Sequence, residues 1–277
     1  MVDLHSHTDA SDGSDTPSEL IDNALRAGVT ALSITDHDTF AGYNAAKPYA
    51  DEKGLDLLCG IELSTKYQGQ TVHLLGYFPG AAPAEAFTTW LVVLQERRRE
   101  RNFRLVENLR KVNVKITMEE VEALGKTMAG RPHFAKILMK KGYVKTMQEA
   151  FDKYLAEHGR AFTEREEVPL EEGIKRMRAA GGIPVIAHPV RLGRRTAAEE
   201  AEWIETAKEM GMLGLEVRHS DHDAVAVARY TALATRLGLL TTGGSDYHGT
   251  YKPDIKLGTG KFGNVSVPME WVHRLRA

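Results

Sequence analysis

Ala31-Leu32-Ser33-Ile34-Thr35-Asp36-His37-Asp38 is a short apolar run that ends in side chains able to hold a metal. A run of this length bounded by polar residues reads as a buried strand. Residues just past the carboxyl end of such a strand fall where a βα fold builds its active site. Comparable runs recur at residues 57–61, 72–78, 183–187, 213–217 and 239–242, most of them after helix-patterned segments. Thr16-Pro17-Ser18-Glu19 has the form of a helix start, with Thr16 as cap, Pro17 in the first turn and Glu19 closing a capping box. Gly28, Gly54, Gly181-Gly182, Gly211 and Gly238 read as helix stops, each ahead of a predicted strand. This alternation predicts an α/β fold of βα repeats. It breaks at residues 84–168, where helical patterns follow one another without a strand run, so a helical insertion is expected there. Within it, Gln95-Glu96-Arg97-Arg98-Arg99-Glu100-Arg101 reads as a solvated helix face.

A chain of 277 residues can bury the core of one large barrel with a smaller insertion. Its lone cysteine, Cys59, excludes a disulfide framework and a thiolate-rich zinc site, and reads as a small buried hydrophobe. With a net charge of −2 the chain lacks the global positive field of a nonspecific nucleic-acid binder, so double-stranded DNA is not an expected partner. No apolar run reaches the length of a membrane span. The start, Met1-Val2-Asp3-Leu4-His5, has no leader pattern, so no membrane partner and a cytoplasmic location are expected. The oligomeric state is left open.

His5, His7, His37, His73, His188 and His248 lie at or beside predicted strand ends. In extended backbone the period of two sends His5 and His7 to one side, and Asp246 and His248 repeat that spacing after Gly243-Gly244. Asp12, Glu62 and Asp246 add carboxylates to the six imidazoles. That is more donors than one ion uses, so two or three divalent ions are expected if they converge. Nitrogen and oxygen donors without sulfur suit manganese, zinc or iron. Any one histidine alone is as well explained by solvation or a hydrogen bond. His158, His222 and His273 read as surface residues, and His133 and His219 as candidates for substrate contacts outside the metal shell.

The spaced set of His5-x-His7, Asp12, Thr35-Asp36-His37-Asp38, Glu62, His73, Ala187-His188-Pro189 and Ser245-Asp246-Tyr247-His248 resembles the polymerase and histidinol phosphatase (PHP) family. The resemblance implies a distorted seven-stranded βα barrel formed by residues 1–83 and 169–277, with residues 84–168 as an inserted helical subdomain that contributes to substrate binding. It also implies a trinuclear site. One ion would lie on His5, His7, Glu62 and Asp246, a second on Glu62, His73 and His188, and a third on Asp12, His37 and His248. Glu62 would bridge, and manganese is the first choice of metal. Asp12 stands where some relatives carry histidine, which resembles the nucleotide-phosphatase branch. Gly130-Arg131-Pro132-His133-Phe134-Ala135 is similar to the phosphate-contacting segment of nucleoside 3′,5′-bisphosphate phosphatases and 5′-to-3′ exoribonucleases. Arg131 offers a planar fork and His133 a further donor, the competing reading of Arg131 being a helix-start residue.

The sequence holds no G-x-S-x-G elbow and no P-loop, which favours a metal-activated water over a protein nucleophile. The expected activity is hydrolysis of the 3′-phosphate of a nucleoside 3′,5′-bisphosphate. The alternatives are 5′-to-3′ degradation of short 5′-phosphorylated RNA, histidinol phosphate hydrolysis, and a non-catalytic module that metal merely stabilises.

Overall fold

The structure, a computed structural model, describes residues 1–80, 82–125, 129–164, 166–193 and 196–277. Its sheet runs β1(Val2–Asp3), β2(Ala31–Ile34), β3(Asp56–Tyr67), β4(Gln70–Phe78), β6(Ile183–Ile186), β7(Gly214–Arg218) and β8(Leu240–Gly243), with β5(Val168–Pro169) paired to β3 outside that path. β1, β2 and β3 are parallel, as are β6, β7 and β8, while β4 is antiparallel to both its neighbours. The segments after β1 and β8 bridge the remaining gap: Leu4 N–H donates to Gly243 O at 3.2 Å, Asp246 N–H to His5 O at 2.9 Å and His7 N–H to Tyr247 O at 2.9 Å. The result is a distorted seven-stranded barrel with helices α1(Pro17–Arg26), α2(Ala41–Lys53), α7(Leu170–Ala179), α8(Ala197–Glu209), α9(Ala224–Leu237) and α10(Met269–Arg276) among its connections. A small hairpin, β9(Ile255–Lys256) and β10(Gly260–Lys261), precedes α10.

One expectation changes form. The strand read at residues 57–61 continues to Tyr67 and turns at Gln68-Gly69 into β4, so two of the strands make a hairpin and not a βα repeat. Both turn residues have positive φ, 48° and 80°, the geometry of a tight hairpin turn with Gly in second place. Beyond Ile61 the strand carries Glu62, Ser64, Thr65 and Lys66, and these polar residues hid it from a search for apolar runs. Glu62 therefore sits within β3, not at its end. His73 faces the same mouth for a related reason. Because β4 runs backwards, its amino end lies beside the later part of β3, with His73 opposite Ser64.

Thr16 caps α1 with the full capping box, and Gly54 and Gly238 end α2 and α9 in left-handed conformation. Cys59 is buried, and burial pushes its thiol up to about 12. Between β4 and β5 lie α3(Glu85–Lys111), α4(Met118–Gly125), α5(Arg131–Lys140) and α6(Met147–Ala150), the last running into a π-helical turn, Phe151–Leu155. These helices share a hydrophobic core of their own that begins at Leu105 and ends at Ala161. Among the described residues no helix is long and apolar enough to cross a membrane.

Candidate metal centre

Three buried carboxylates build the frame on which the site hangs. Asp3, at the end of β1, accepts from Ser245 N–H at 2.8 Å, Ser245 Oγ at 2.6 Å and Gly258 N–H at 2.7 Å, locking the segments that carry His5 and Asp246. Gly244 permits this approach, because a Cβ there would collide with the backbone and Cβ of His5. Asp36, just past β2, accepts from Thr8 N–H at 2.8 Å, Thr8 Oγ1 at 2.7 Å and Ser11 Oγ at 2.6 Å, which fixes the loop bearing Asp12. Glu216 on β7 accepts from His188 N–H at 2.6 Å and touches His5 Nδ1 at 2.9 Å. That contact turns the His5 Nε2 toward Glu62.

All nine residues read as ligands converge. Glu62 Oε2 lies 3.2 Å from His5 Nε2, 3.2 Å from His7 Nε2 and 3.4 Å from His37 Nδ1. Its Oε1 lies 2.8 Å from His73 Nδ1 and 3.1 Å from His188 Nε2. Asp246 Oδ1 is 3.3 Å from His7 Nε2 and 3.5 Å from His5 Nε2. On the outer side Asp12 reaches His248 Nε2 at 3.3 Å, His7 Nδ1 at 3.6 Å and His37 Nε2 at 3.7 Å. His248 Nδ1 is engaged by the carbonyl of Asp246 at 2.8 Å, so its Nε2 faces Asp12 as a free lone pair. His188, Asp246 and the neighbouring Asp38 have positive φ (26°, 58° and 52°), a concentration of unfavourable backbone at one site.

Electrostatics separates these histidines. Burial alone would lower His5, but Glu216, Glu62 and Asp246 outweigh it and hold the ring well above its ordinary range. Burial is likewise outweighed at His7, where the adjacent carboxylates of Asp246 and Glu62 bring it to about 9. At His37 and His188 burial prevails, to about 4 and about 3. Burial would raise Glu62, yet the surrounding imidazoles keep it well below the carboxylate range.

The donor set fits divalent cations. Both nitrogens of His7 and Nδ1 of His37 and of His73 are buried without a hydrogen bond, which is costly unless something else binds them. Donor atoms of His5, His7, Glu62 and Asp246 lie within 4.8 Å of one another, as do those of His7, Asp12, His37 and His248, and those of His37, Glu62 and His73.

A cavity of about 230 Å³ opens beside Asp12, His37 and His73, and across it stand Arg98, Arg101, Arg131 and His133. Arg131 and His133 thus sit at the start of α5, facing the cluster across the cleft. His133 Nδ1 accepts from Gly130 N–H at 3.0 Å, and burial lowers the ring to about 4, so the neutral imidazole carries its proton on Nε2. The arginine run on α3 departs from the solvated reading. Arg97, Arg99 and Glu100 are exposed, but Arg98 pairs with Asp38, Arg101 is buried, and both line the cleft. The docking of α3 against the barrel, which also joins Gln95 Nε2 to Asp38 O at 3.0 Å, removes one side of that helix from water. His222 also departs from its surface reading, being buried with Nδ1 on Val217 O at 2.8 Å. His158 and His273 are exposed. His219 is fully buried, with Nε2 3.4 Å from Asp246 Oδ2, and lies behind that carboxylate outside the cavity lining.

Sequence reading missed the groups that hold the converging side chains. Glu216 could have been found as an acid inside an apolar strand run, since a buried carboxylate needs a partner. Arg191, in the 3-10 turn Pro189–Leu192, and Lys252, in a bend, contact Asp246 Oδ2 at 2.9 Å and 2.8 Å and carry no such signal.

Comparison with known proteins gives a consistent result. The family model for the PHP domain matches residues 3–164. A 5′-3′ exoribonuclease of Haemophilus influenzae is 32% identical over 247 residues, 89% of each chain. A 3′,5′-nucleoside bisphosphate phosphatase of Chromobacterium violaceum is 33% identical over 251 residues, 89% of this chain and 87% of the other. The crystal structure of a candidate metal-dependent phosphoesterase from Bifidobacterium adolescentis superimposes with a TM-score of 0.84 at 31% identity, covering 99% of this chain and 94% of that one.

Proposed function

The chain belongs to the PHP domain family, and from that premise we propose that this metal-dependent phosphoesterase removes the 3′-phosphate of nucleoside 3′,5′-bisphosphates, with manganese as its metal. The observation that carries the reading is the pairing of a multi-carboxylate histidine cluster with Arg131 and His133 across one cleft. The nine residues that would hold the ions are His5, His7, Asp12, His37, Glu62, His73, His188, Asp246 and His248, and both oxygens of Glu62 face imidazoles of this set. Bound there, divalent cations supply charge that offsets the phosphoryl group and an activated water for hydrolysis. The chain does the positioning. Arg131 presents a fork that matches phosphate oxygens, and neutral His133 donates from Nε2. Arg191 and Lys252 neutralise the outer oxygen of Asp246, leaving its inner oxygen to the ligand cluster. His219 braces the same carboxylate. We assign residues 1–83 and 169–277 to the barrel and 84–168 to a helical subdomain that grips the substrate, a division supported by the separate helical core.

A second reading, removal of nucleotides from short 5′-phosphorylated RNA, is favoured by the similarity to the Haemophilus influenzae exoribonuclease. In it the same Arg131 end would hold the 5′-phosphate while a diester lies at the cluster. The test is to load the protein with manganese and follow release from adenosine 3′,5′-bisphosphate, a short 5′-phosphorylated RNA and histidinol phosphate. Phosphate from the bisphosphate at the highest kcat/KM supports the first reading, and mononucleotides released in preference from RNA would replace it with the second. Hydrolysis of histidinol phosphate alone, or of none of the three, would overturn both.

A further inference from the structure

The cleft is built almost wholly from polar side chains, yet Pro132 and Phe151 interrupt it. Among the described residues that line it, Phe151 is the one aromatic hydrocarbon ring, and that residue is only partly buried. One portion packs against the core of the helical segment, and the remainder lines the cavity. Its backbone is unusual too. Phe151 opens the π-helical turn Phe151–Leu155, in which Ala156 N–H donates to Phe151 O at 2.9 Å. Such turns insert one extra residue into a helix and are frequent at functional sites. The two residues that follow in the turn's core-facing positions, Tyr154 and Leu155, are buried, so the ring is mounted on a rigid base. Pro132 stands between Arg131 and His133 at the start of α5, which places an apolar surface next to the proposed phosphate grip.

An apolar ring lining the same cleft as the Arg131–His133 segment and the carboxylate–histidine cluster matches a ligand that carries a flat apolar group beside its phosphates. Resting on the reading of the site as a nucleotide phosphoesterase, we infer that Phe151, backed by Pro132, is the platform on which the nucleobase stacks. The base then orients the ribose, with the 5′-phosphate on Arg131 and His133 and the 3′-phosphate at the metal cluster. Stacking accepts any base because every base has a π face, and purines offer the larger area. The cleft so built selects nucleotides over other phosphomonoesters by shape, without reading sequence.

The test compares Phe151→Ala and Phe151→Trp with the parent on adenosine 3′,5′-bisphosphate and on the abasic ribose 3,5-bisphosphate. Phe151→Ala is expected to lower kcat/KM on the nucleotide at least about tenfold, mainly through KM, and to change the abasic substrate less than about twofold. Phe151→Trp should restore the nucleotide. Calorimetric binding of adenosine 5′-monophosphate against ribose 5-phosphate gives the same contrast without turnover. Equal losses on both substrates, or no loss on the nucleotide, would make Phe151 a scaffold residue and overturn the inference while the proposed activity stands. Should the parent bind adenosine 5′-monophosphate with the Phe151 contrast but release no phosphate from the bisphosphate, the proposed activity falls and the platform remains.

Discussion

Glu216 is not among the nine assigned ligands, yet it fixes the donor atom of His5. Its Oε1 holds His5 Nδ1 at 2.9 Å, which commits Nε2 to the cluster, and its Oε2 takes the backbone N–H of His188 at 2.6 Å. Burial would raise this carboxylate, but His5 and the neighbouring histidines bring it to about 2, so it is charged at neutral pH. A charged acceptor behind a ligating imidazole raises its basicity and holds its tautomer. Glu216→Gln keeps the volume and one acceptor while removing the charge, and it should weaken manganese affinity about 10–100-fold. Calorimetric titration checks this, and raised metal concentration should recover most of the hydrolysis. An unchanged manganese isotherm would show that Glu216 only supports the strand. At this scale the converging donors were legible, because histidine pairs at a spacing of two are rare and chemically pointed. The groups behind them were not, since a glutamate in a strand and an arginine in a charged run gain meaning only from what packs opposite.

Among elements, α2 shows how closely the site loops are fitted to the helices. Gly42 lies in its first turn, buried, and a Cβ there would run into the carboxylate of Asp36 and Oγ1 of Thr8. Helix propensity alone would make Gly42→Ala stabilising by about 1 kcal/mol. Asp36 cannot yield easily, because Thr8 and Ser11 hold it with three hydrogen bonds. The packing term should win, giving a net loss of roughly 1–3 kcal/mol and a shift of the loop that carries Asp12. Thermal unfolding and metal analysis of Gly42→Ala test this together, and a variant with raised Tm and full metal content would refute it. The same scale marks the limit of reading elements from pattern. Helices with caps and glycine stops were legible nearly to the residue: α9 begins after Asp223 and ends at Gly238. The β3–β4 hairpin was legible only in part, because the second half of β3 is rich in polar residues, and the placement of Arg98 and Arg101 in the cleft depends on α3 docking against the barrel.

For the whole molecule, the barrel and the proposed metal cluster should be energetically separable. Three hydrophobic clusters pack the barrel and its outer helices from residues that are not ligands, so the fold should persist when metal is withdrawn. The cluster then has to balance its carboxylates with protons. Burial opposes a charge on His7, but Asp246 and Glu62 outweigh it and raise the ring to about 9, whereas His37 stays neutral near 4. An ion that takes His7 as a ligand, as proposed, has to displace its proton at any pH below about 9, so the apparent affinity for manganese should rise with pH across that range. Binding only the folded state stabilises it by RT ln(1 + [M]/Kd), about 4 kcal/mol at a thousandfold excess over Kd. For a chain of this size that corresponds to a Tm increase on the order of 10 °C. Differential scanning calorimetry of chelator-treated protein, with and without manganese, should show a cooperative transition in both. The gap between them should be wider at pH 8 than at pH 6. A gap that narrows with pH would contradict the proton competition, and a metal-free protein with no transition would show that the barrel depends on its ions to fold.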